Sequence, residues 1–276
     1  MPHAPARDGV PIWHTDEGAG LPVLALPGLT RNGGDFDHVA PHLLARGVRL
    51  IRIDARGRGR SGHADPRTYA VPQEAADALA VMDALALPRA AVLGTSRGGF
   101  VAMALALMAR ERLIGVALND VGPEIDPRGL AVIEGYLGRR PAQATHAAAA
   151  QARARLSPAF RDVPEGRWLH EARNHYDEGP DDLALRYDPR LRESFLATPA
   201  PRDPWTFFDA LAGLPLALVR GDGSDILSAA TADAMRRRRP DMVFAEVAGR
   251  GHVPFLDEPE SLAALDAWLA LCEAAR

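Results

Sequence analysis

The most promising nucleophile is a serine in the five-residue pattern Gly94-Thr95-Ser96-Arg97-Gly98. The pattern follows a short apolar run and precedes a strongly apolar helical segment. This context predicts a sharp strand-to-helix turn, allowed by the two glycines, that holds the serine hydroxyl outward. The N-terminal amides of the next helix would favour negative charge at the same place. The alternative is a plain glycine-rich turn, and the position between strand and helix favours the nucleophile.

A serine nucleophile needs a base, and His252 is the best placed of the nine histidines. It lies just past a predicted strand and before the last predicted helix, in a loop fixed by glycine and proline. The alternative is a loop histidine that caps the final helix. His38 and His42 are four residues apart, but no acidic partner completes a metal-binding motif there, so no metal is expected.

An orienting carboxylate must hold that imidazole in one tautomer and stabilise its charged form. The loop after the predicted strand at residues 216–219 carries two candidates. Asp225 is the first choice, because it lies several residues out on the loop that would face His252. Asp222 is the second choice. Asp120, directly after an earlier predicted strand, is the third.

These residues depend on a framework of alternating strands and helices. In the first half, strands are predicted at residues 23–26, 48–53, 91–93 and 113–118, and helices at residues 36–46, 73–87 and 100–110. In the last part, strands are predicted at residues 216–219 and 242–247, and helices at residues 229–239 and 261–272. This alternation predicts an α/β fold with a doubly wound, mostly parallel sheet.

The alternation stops after Asp120. From residue 121 to about 208 the sequence has helical patterns but no convincing buried strand, and it is rich in proline and charge. We interpret this segment as a helical insertion. The predicted domains are therefore a core, residues 1–120 and 209–276, and an insertion, residues 121–208.

Composition excludes several kinds of chemistry. All 32 basic residues are arginine, so lysine Schiff bases, pyridoxal phosphate attachment and a P-loop lysine are impossible. The single cysteine, Cys272, excludes an intramolecular disulfide framework and any Cys-rich metal site. A net charge of −4 gives no electrostatic reason to bind nucleic acid or an anionic membrane. We expect no cofactor.

The chain is interpreted as cytoplasmic. Its first eight residues are polar and proline-rich, with no apolar stretch of signal-peptide length. The longest apolar run, residues 100–109, has about half the length of a membrane-spanning helix.

The chain resembles the α/β-hydrolase superfamily over essentially its whole length. The serine turn and the order serine, aspartate, histidine are typical of that superfamily. Residues 26–29, Leu-Pro-Gly-Leu, resemble its oxyanion loop, although Pro27-Gly28 stands where the superfamily usually has His-Gly. The resemblance implies an oxyanion hole formed by the backbone N–H groups of Leu29 and Arg97.

Two further segments carry the resemblance. Residues 54–61 are similar to the superfamily's D-x-R-G-x-G-x-S loop, and residues 121–208 to its helical cap. Because the loop lacks the third glycine and the lysine of nucleotide-binding loops, we expect its arginines to brace neighbouring loops through arginine–carboxylate pairs.

A serine rather than an aspartate at the turn implies acyl transfer. The first hypothesis is a serine hydrolase (carboxylesterase or lactonase) that cleaves small carboxylic esters or lactones through an acyl-enzyme. A cap of about 85 residues favours a small substrate enclosed beneath it. The candidates for substrate binding are Arg31, Tyr136, Trp168, His170 and His175.

Two alternatives stay open. One is carbon–carbon bond hydrolysis of a vinylogous diketone, whose carboxylates would need arginines such as Arg31, Arg97 or those of the cap. The other is a non-catalytic ligand receptor on the same fold. A small molecule is the only partner predicted, and the sequence does not predict an oligomeric state.

Overall fold

The computed structural model describes residues 2–199 and 202–276. The strands in these ranges are β1 (His3–Pro5), β2 (Pro11–Trp13), β3 (Glu17–Gly18), β4 (Leu21–Leu26), β5 (Val48–Arg52), β6 (Ala90–Thr95), β7 (Leu113–Asn119), β8 (Tyr176–Glu178), β9 (Leu183–Leu185), β10 (Leu216–Gly221) and β11 (Val243–Val247). The α-helices are α1 (Ala40–Ala45), α2 (Val71–Ala84), α3 (Arg97–Met108), α4 (Pro127–Tyr136), α5 (His146–Leu156), α6 (Glu165–His175), α7 (Leu191–Ala197), α8 (Trp205–Asp209), α9 (Ala229–Arg238) and α10 (Pro259–Ala274). Short 3₁₀ turns span Gly33–Phe36, Pro66–Thr68 and Arg110–Arg112.

The central element is a seven-stranded sheet with strand order β11-β10-β7-β6-β4-β5-β3. Neighbouring strands are parallel throughout, except that β3 runs antiparallel to β5 at one edge. The predicted doubly wound, mostly parallel sheet is confirmed. Because parallel strands all end at the same edge, the loops after β4, β6, β7 and β11 meet there.

The sheet is buried on both faces by helices, as its apolar strands predict. In β4, Leu21, Val23 and Ala25 point into the layer formed with α1 and α10. Leu24 and Leu26 point into the opposite layer, formed with α2, α3 and α9. Each strand thus alternates between two cores, which fixes the sheet between its helices.

The inserted segment, residues 121–208, contributes α4 to α7 and a short hairpin of β8 and β9. These two strands have three residues each and are mostly not buried, so neither is a buried strand of the kind that a sequence pattern would reveal. The predicted boundary at residue 208 falls within α8. That helix packs on α3, with Phe208 buried in the core of the sheet layer.

The longest helix, α10, has 16 residues. A helix that crosses a bilayer needs about 20 apolar residues. Within the two described ranges, the structure has no helix that combines the length and the hydropathy of a membrane span.

Candidate active site

Ser96 is the single residue between β6 and α3, and its backbone angles are φ 51° and ψ −115°. A positive φ is strained for a residue with a side chain, so its neighbours must hold it there. A Cβ on Gly94 would lie 2.5 Å from the carbonyl oxygen of Gly98, and one on Gly98 would lie 2.0 Å from that of Leu26. The two glycines let the turn pack against itself and against β4, as the pattern predicts.

His252 joins Ser96 to a buried carboxylate. Its Nε2 is 2.8 Å from the Oγ of Ser96, and its Nδ1 is 2.8 Å from the Oδ2 of Asp120. An ionised carboxylate only accepts hydrogen bonds, so Nδ1 carries the proton and Nε2 accepts from the serine hydroxyl. This is the arrangement in which the imidazole can take the serine proton.

Asp120 is fully buried directly after β7 and is held by further donors. The hydroxyl of Ser224 donates to its Oδ2 over 2.7 Å, and the amide of Gly221 donates to its Oδ1 over 3.0 Å. Its own amide donates to the carbonyl of Val219 over 2.7 Å. The loop after β10 therefore fixes the carboxylate in position and offsets part of the cost of burying its charge.

The prediction that Asp225 orients the imidazole is wrong: among the described residues, the carboxylate bonded to His252 is that of Asp120. The loop after β10 approaches the site through Ser224, and the next residue already faces the inserted segment. A Cβ on Gly129 in α4 would lie 2.4 Å from the carbonyl oxygen of Asp225. The length of the loop after β10 does not indicate that Ser224, rather than Asp225, faces the site.

Asp222, the second choice, has a different role. Its Oδ1 accepts from the amide of Gly249 over 2.9 Å, and its Oδ2 from Arg161 over 3.1 Å. Burial raises the pKa of Asp222, but the Gly249 amide, the Arg161 charge and the Arg250 amide outweigh it and lower the pKa below its usual value. Asp222 thus braces the loop that carries the histidine, without contacting the imidazole itself.

The predicted oxyanion loop lies against the serine. A Cβ on Gly28 would be 3.8 Å from the Cβ of Ser96 and 3.1 Å from the Cγ of Arg31. Arg97 is the first residue of α3, so its N–H has no acceptor within the helix. Pro27, which stands where the superfamily usually has histidine, does not displace this loop from Ser96.

The buried carboxylate of Glu74 pairs both with an arginine that bonds the oxyanion loop and with the arginine that begins α3. Arg58 donates from Nε to the carbonyl of Leu29 over 2.9 Å, and its Nη1 lies 2.8 Å from Glu74. The other oxygen of Glu74 accepts from Nε of Arg97 over 2.8 Å. Burial would raise the pKa of Glu74, but the two guanidinium groups lower it to about 2. The expectation that arginines of residues 54–61 brace loops through carboxylates is confirmed.

Arg31 and His175, two of the substrate-binding candidates, contact each other. Arg31 donates from Nε to Asp35 over 2.7 Å and from Nη2 to Glu171 over 2.6 Å, and its Nη1 lies 2.5 Å from Nδ1 of His175. Burial, with the charges of Arg31 and Arg153, lowers the pKa of His175 well below its usual value, so the ring is neutral. These contacts fasten α6 onto the loop after β4.

The other three candidates differ in exposure. Trp168 is 7% exposed and packs edge-on against Phe160, with ring centroids 5.6 Å apart, and against Phe255 at 6.3 Å. It therefore lies inside the inserted segment, next to the loop of the histidine. Tyr136 keeps 46% of its surface exposed, but its hydroxyl end is buried near Thr30, beside the loop after β4.

His170 packs edge-on against His38, with ring centroids 4.5 Å apart, and its Nε2 lies 3.7 Å from Asp37. It thus contacts the outer side of the loop after β4. Sequence reasoning missed Ser224 and Glu74 as supports of the site. Ser224 stands in the loop searched for the acid, but only its position relative to Asp120 identifies its role.

Comparison with known proteins agrees with the fold. Residues 23–265 match the model of the alpha/beta hydrolase family. A 3-hydroxybutyrate-oligomer hydrolase of Cupriavidus necator is 35% identical over 247 residues, which cover 86% of this chain and 84% of that protein. A rhodomycin D methylesterase of Streptomyces peucetius is 39% identical over 116 residues, 39% of this chain and 38% of that protein.

A solved structure extends the likeness to the whole fold. An alpha/beta hydrolase from Novosphingobium aromaticivorans superimposes with a TM-score of 0.90 at 37% identity, covering 98% of this chain and 97% of that one. The relatives that the chain resembles include a hydrolase and an esterase. With a family match over most of its length, the chain belongs to the alpha/beta hydrolase family.

Proposed function

We propose that the protein hydrolyses small carboxylic esters, lactones included, through an acyl-enzyme on Ser96. The observation that carries the proposal is the unbroken hydrogen-bonded series from the Ser96 hydroxyl through His252 to the buried Asp120. A serine hydroxyl is a weak nucleophile unless a base removes its proton as it attacks.

In the first step, His252 takes the proton of Ser96 through Nε2 while the oxygen attacks the ester carbonyl. The imidazolium formed is stabilised by the negative charge of Asp120. The carbonyl oxygen becomes an oxyanion, for which we assign the amides of Leu29 and Arg97 as donors. The imidazolium then gives its proton to the leaving alcohol, and a covalent acyl-serine remains.

In the second step, His252 removes a proton from water, and the hydroxide attacks the acyl-serine carbonyl. The same two amides stabilise the second oxyanion, and the serine leaves with the proton returned by the histidine. The products are a carboxylic acid and an alcohol. A lactone follows the same path and gives one hydroxy acid.

The similarity to a 3-hydroxybutyrate-oligomer hydrolase over most of both chains supports esters of short hydroxy acids as substrates. The size of the inserted segment agrees with this choice. Its helix α6 is bonded to the loop after β4 through Arg31 and Asn174, and a segment held over this loop favours a short enclosed chain over a lipid surface.

The test is an ester and lactone panel measured with the wild-type protein and with Ser96→Ala. The panel holds 4-nitrophenyl acetate and butyrate, a linear 3-hydroxybutyrate dimer and γ-butyrolactone, and a fluorophosphonate probe labels reactive serine. We expect turnover of the esters and labelling that Ser96→Ala abolishes. Binding without turnover or labelling would instead support a receptor, and turnover of a vinylogous diketone alone would support carbon–carbon hydrolysis.

A further inference from the structure

The arginines near Ser96 differ in how many of their N–H groups donate hydrogen bonds to other groups of the protein. Arg31 is paired with two carboxylates, and Arg97 donates to Glu74 and to the carbonyl of Tyr69. These two side chains are therefore occupied by the protein itself. Arginines with satisfied donors have little left for a ligand.

Arg153 in α5 is different. Within the residues that the structure describes, its guanidinium makes no hydrogen bond, and its nearest carboxylate oxygen is that of Glu171 at 3.8 Å. That oxygen already accepts from Arg31 over 2.6 Å. With 37% of its side chain exposed, Arg153 keeps its planar set of N–H donors open to a solute.

Contacts connect Arg153 to the loop beside the serine. Its neighbour Glu171 accepts from Arg31 over 2.6 Å, and a Cβ on Gly28 would lie 3.1 Å from the Cγ of Arg31 and 3.8 Å from the Cβ of Ser96. Burial raises the pKa of the Tyr136 phenol, and the positive charges of Arg153 and Arg31 oppose that rise, so both guanidinium groups lie near the tyrosine. The phenol also faces Thr30, which follows the oxyanion loop. Arg153 therefore lies with Tyr136 on the inserted segment, next to the loop after β4 that carries Gly28 and Arg31.

Two guanidinium groups, of Arg31 and Arg153, and two carboxylates, of Asp35 and Glu171, lie together here, so the charges balance and only the donors of Arg153 stay open. Glu171 is shared between Arg31 and Arg153, and Asp35 accepts from Arg31 and from the amide of Asn174. The neutral His175 adds no charge. A guanidinium with open donors has the geometry to bind a carboxylate through two parallel N–H···O bonds.

We propose that Arg153 binds the free carboxylate of the substrate, so that the enzyme prefers esters that carry a carboxylate to neutral esters of the same length. This inference rests on the proposed ester hydrolysis at Ser96. The carboxylate stays intact in the reaction and only positions the ester, with its carbonyl at Ser96 and its charged end at Arg153. Half-esters of short dicarboxylic acids and oligomers of hydroxy acids have this chemistry.

The experiment compares mono-4-nitrophenyl glutarate with 4-nitrophenyl pentanoate, which has nearly the same length and no charge. Both are measured with the wild-type protein, Arg153→Gln, Arg153→Lys and the control Arg155→Gln, an exposed arginine two residues along the same helix. We expect Arg153→Gln to lower kcat/KM for the glutarate about ten- to a hundredfold, mainly through KM, because a charge-assisted pair is lost. The pentanoate should change less than about twofold.

The controls separate binding from packing. Arg153→Lys should recover part of the preference, since it restores the charge without the planar donors. Arg155→Gln should behave as the wild type with both esters. Equal losses on both esters with Arg153→Gln, or an unchanged glutarate KM, would overturn the inference while leaving ester hydrolysis intact. No turnover of either ester by the wild type would refute the proposed function and the preference together.

Discussion

Replacing Asp120 by asparagine is expected to lower kcat by about 10⁴-fold, as the loss of the orienting acid does in other serine triads. The structure gives the reason. Three donors converge on this carboxylate, from Gly221, Ser224 and His252. An asparagine offers one oxygen and one NH₂ group in their place, so at least one donor faces another donor.

The size of the effect follows from the bonds at stake. If the NH₂ group replaces Oδ2, both Ser224 and His252 lose their acceptor. Two hydrogen bonds to a charged group are worth about 3–6 kcal/mol together. A 10⁴-fold rate loss corresponds to about 5.5 kcal/mol, which lies within that range. The imidazolium of the transition state also loses its counter-charge, which acts in the same direction.

The assay is steady-state hydrolysis of a 4-nitrophenyl ester at pH 7, with thermal unfolding as the check on folding. Asp225→Asn and Asp222→Asn are the matched controls, because both lie on the loop after β10 and do not bond the imidazole. We expect wild-type kcat for the first and a modest loss for the second, which braces the histidine loop. A large loss with Asp225→Asn and a small one with Asp120→Asn would refute this reading of the site.

Three further predictions test the supports of the site. Gly98→Ala places a Cβ 2.0 Å from the carbonyl of Leu26, so Tm and kcat should both fall; wild-type values for both would contradict the packing argument. Trp168→Ala should lower the free energy of unfolding by about 3–5 kcal/mol with little change in acyl selectivity. Altered selectivity at constant Tm would instead show that Trp168 contacts the substrate. Because the pKa of Glu74 is lowered to about 2 from 4.5, its charge stabilises the fold above about pH 4.5 and this contribution is lost as pH falls towards 2. The Tm difference between wild type and Glu74→Gln should therefore shrink over that interval, and a constant difference in stepped-pH unfolding would argue against an ionised Glu74.

Much of the fold could be predicted because its signals are local. The six predicted strands agree with the structure to within about two residues at each end, since each is a mainly apolar run that proline, glycine, asparagine or a charged residue follows within two positions. The helix predicted at residues 36–46 was less accurate. It forms as a 3₁₀ turn at Gly33–Phe36 and a separate short helix, α1, whose second residue is Pro41. Helical spacing of apolar residues does not distinguish these forms.

The serine and the histidine could be predicted because glycines mark their loops. The acid could not, since the choice among Asp120, Asp222 and Asp225 depends on which way the loop after β10 turns. The backbone amide of Gly221 and the hydroxyl of Ser224 decide it by binding Asp120. Because these contacts join residues about a hundred positions apart in the chain, no local sequence pattern predicts them.

The substrate-binding candidates met the same limit. Large aromatic and basic side chains in the inserted segment were reasonable candidates, but the sequence does not distinguish a buried tryptophan from an exposed one. Packing places Trp168 against Phe255 and leaves Tyr136 open. Likewise, Arg31 and Arg153 differ in their partners and not in their chemistry.

The most direct test of the central claim is to trap the acyl-enzyme and locate the acyl group. The wild-type protein is mixed with 4-nitrophenyl butyrate, quenched in acid during the initial burst and digested with trypsin, which releases residues 90–97 as one peptide because arginine stands at both cleavage points. We expect a butyryl mass increment on that peptide at Ser96, absent from Ser96→Ala, whose kcat should fall by about 10³-fold or more. A butyryl group on another residue, or near wild-type turnover by Ser96→Ala, would contradict it.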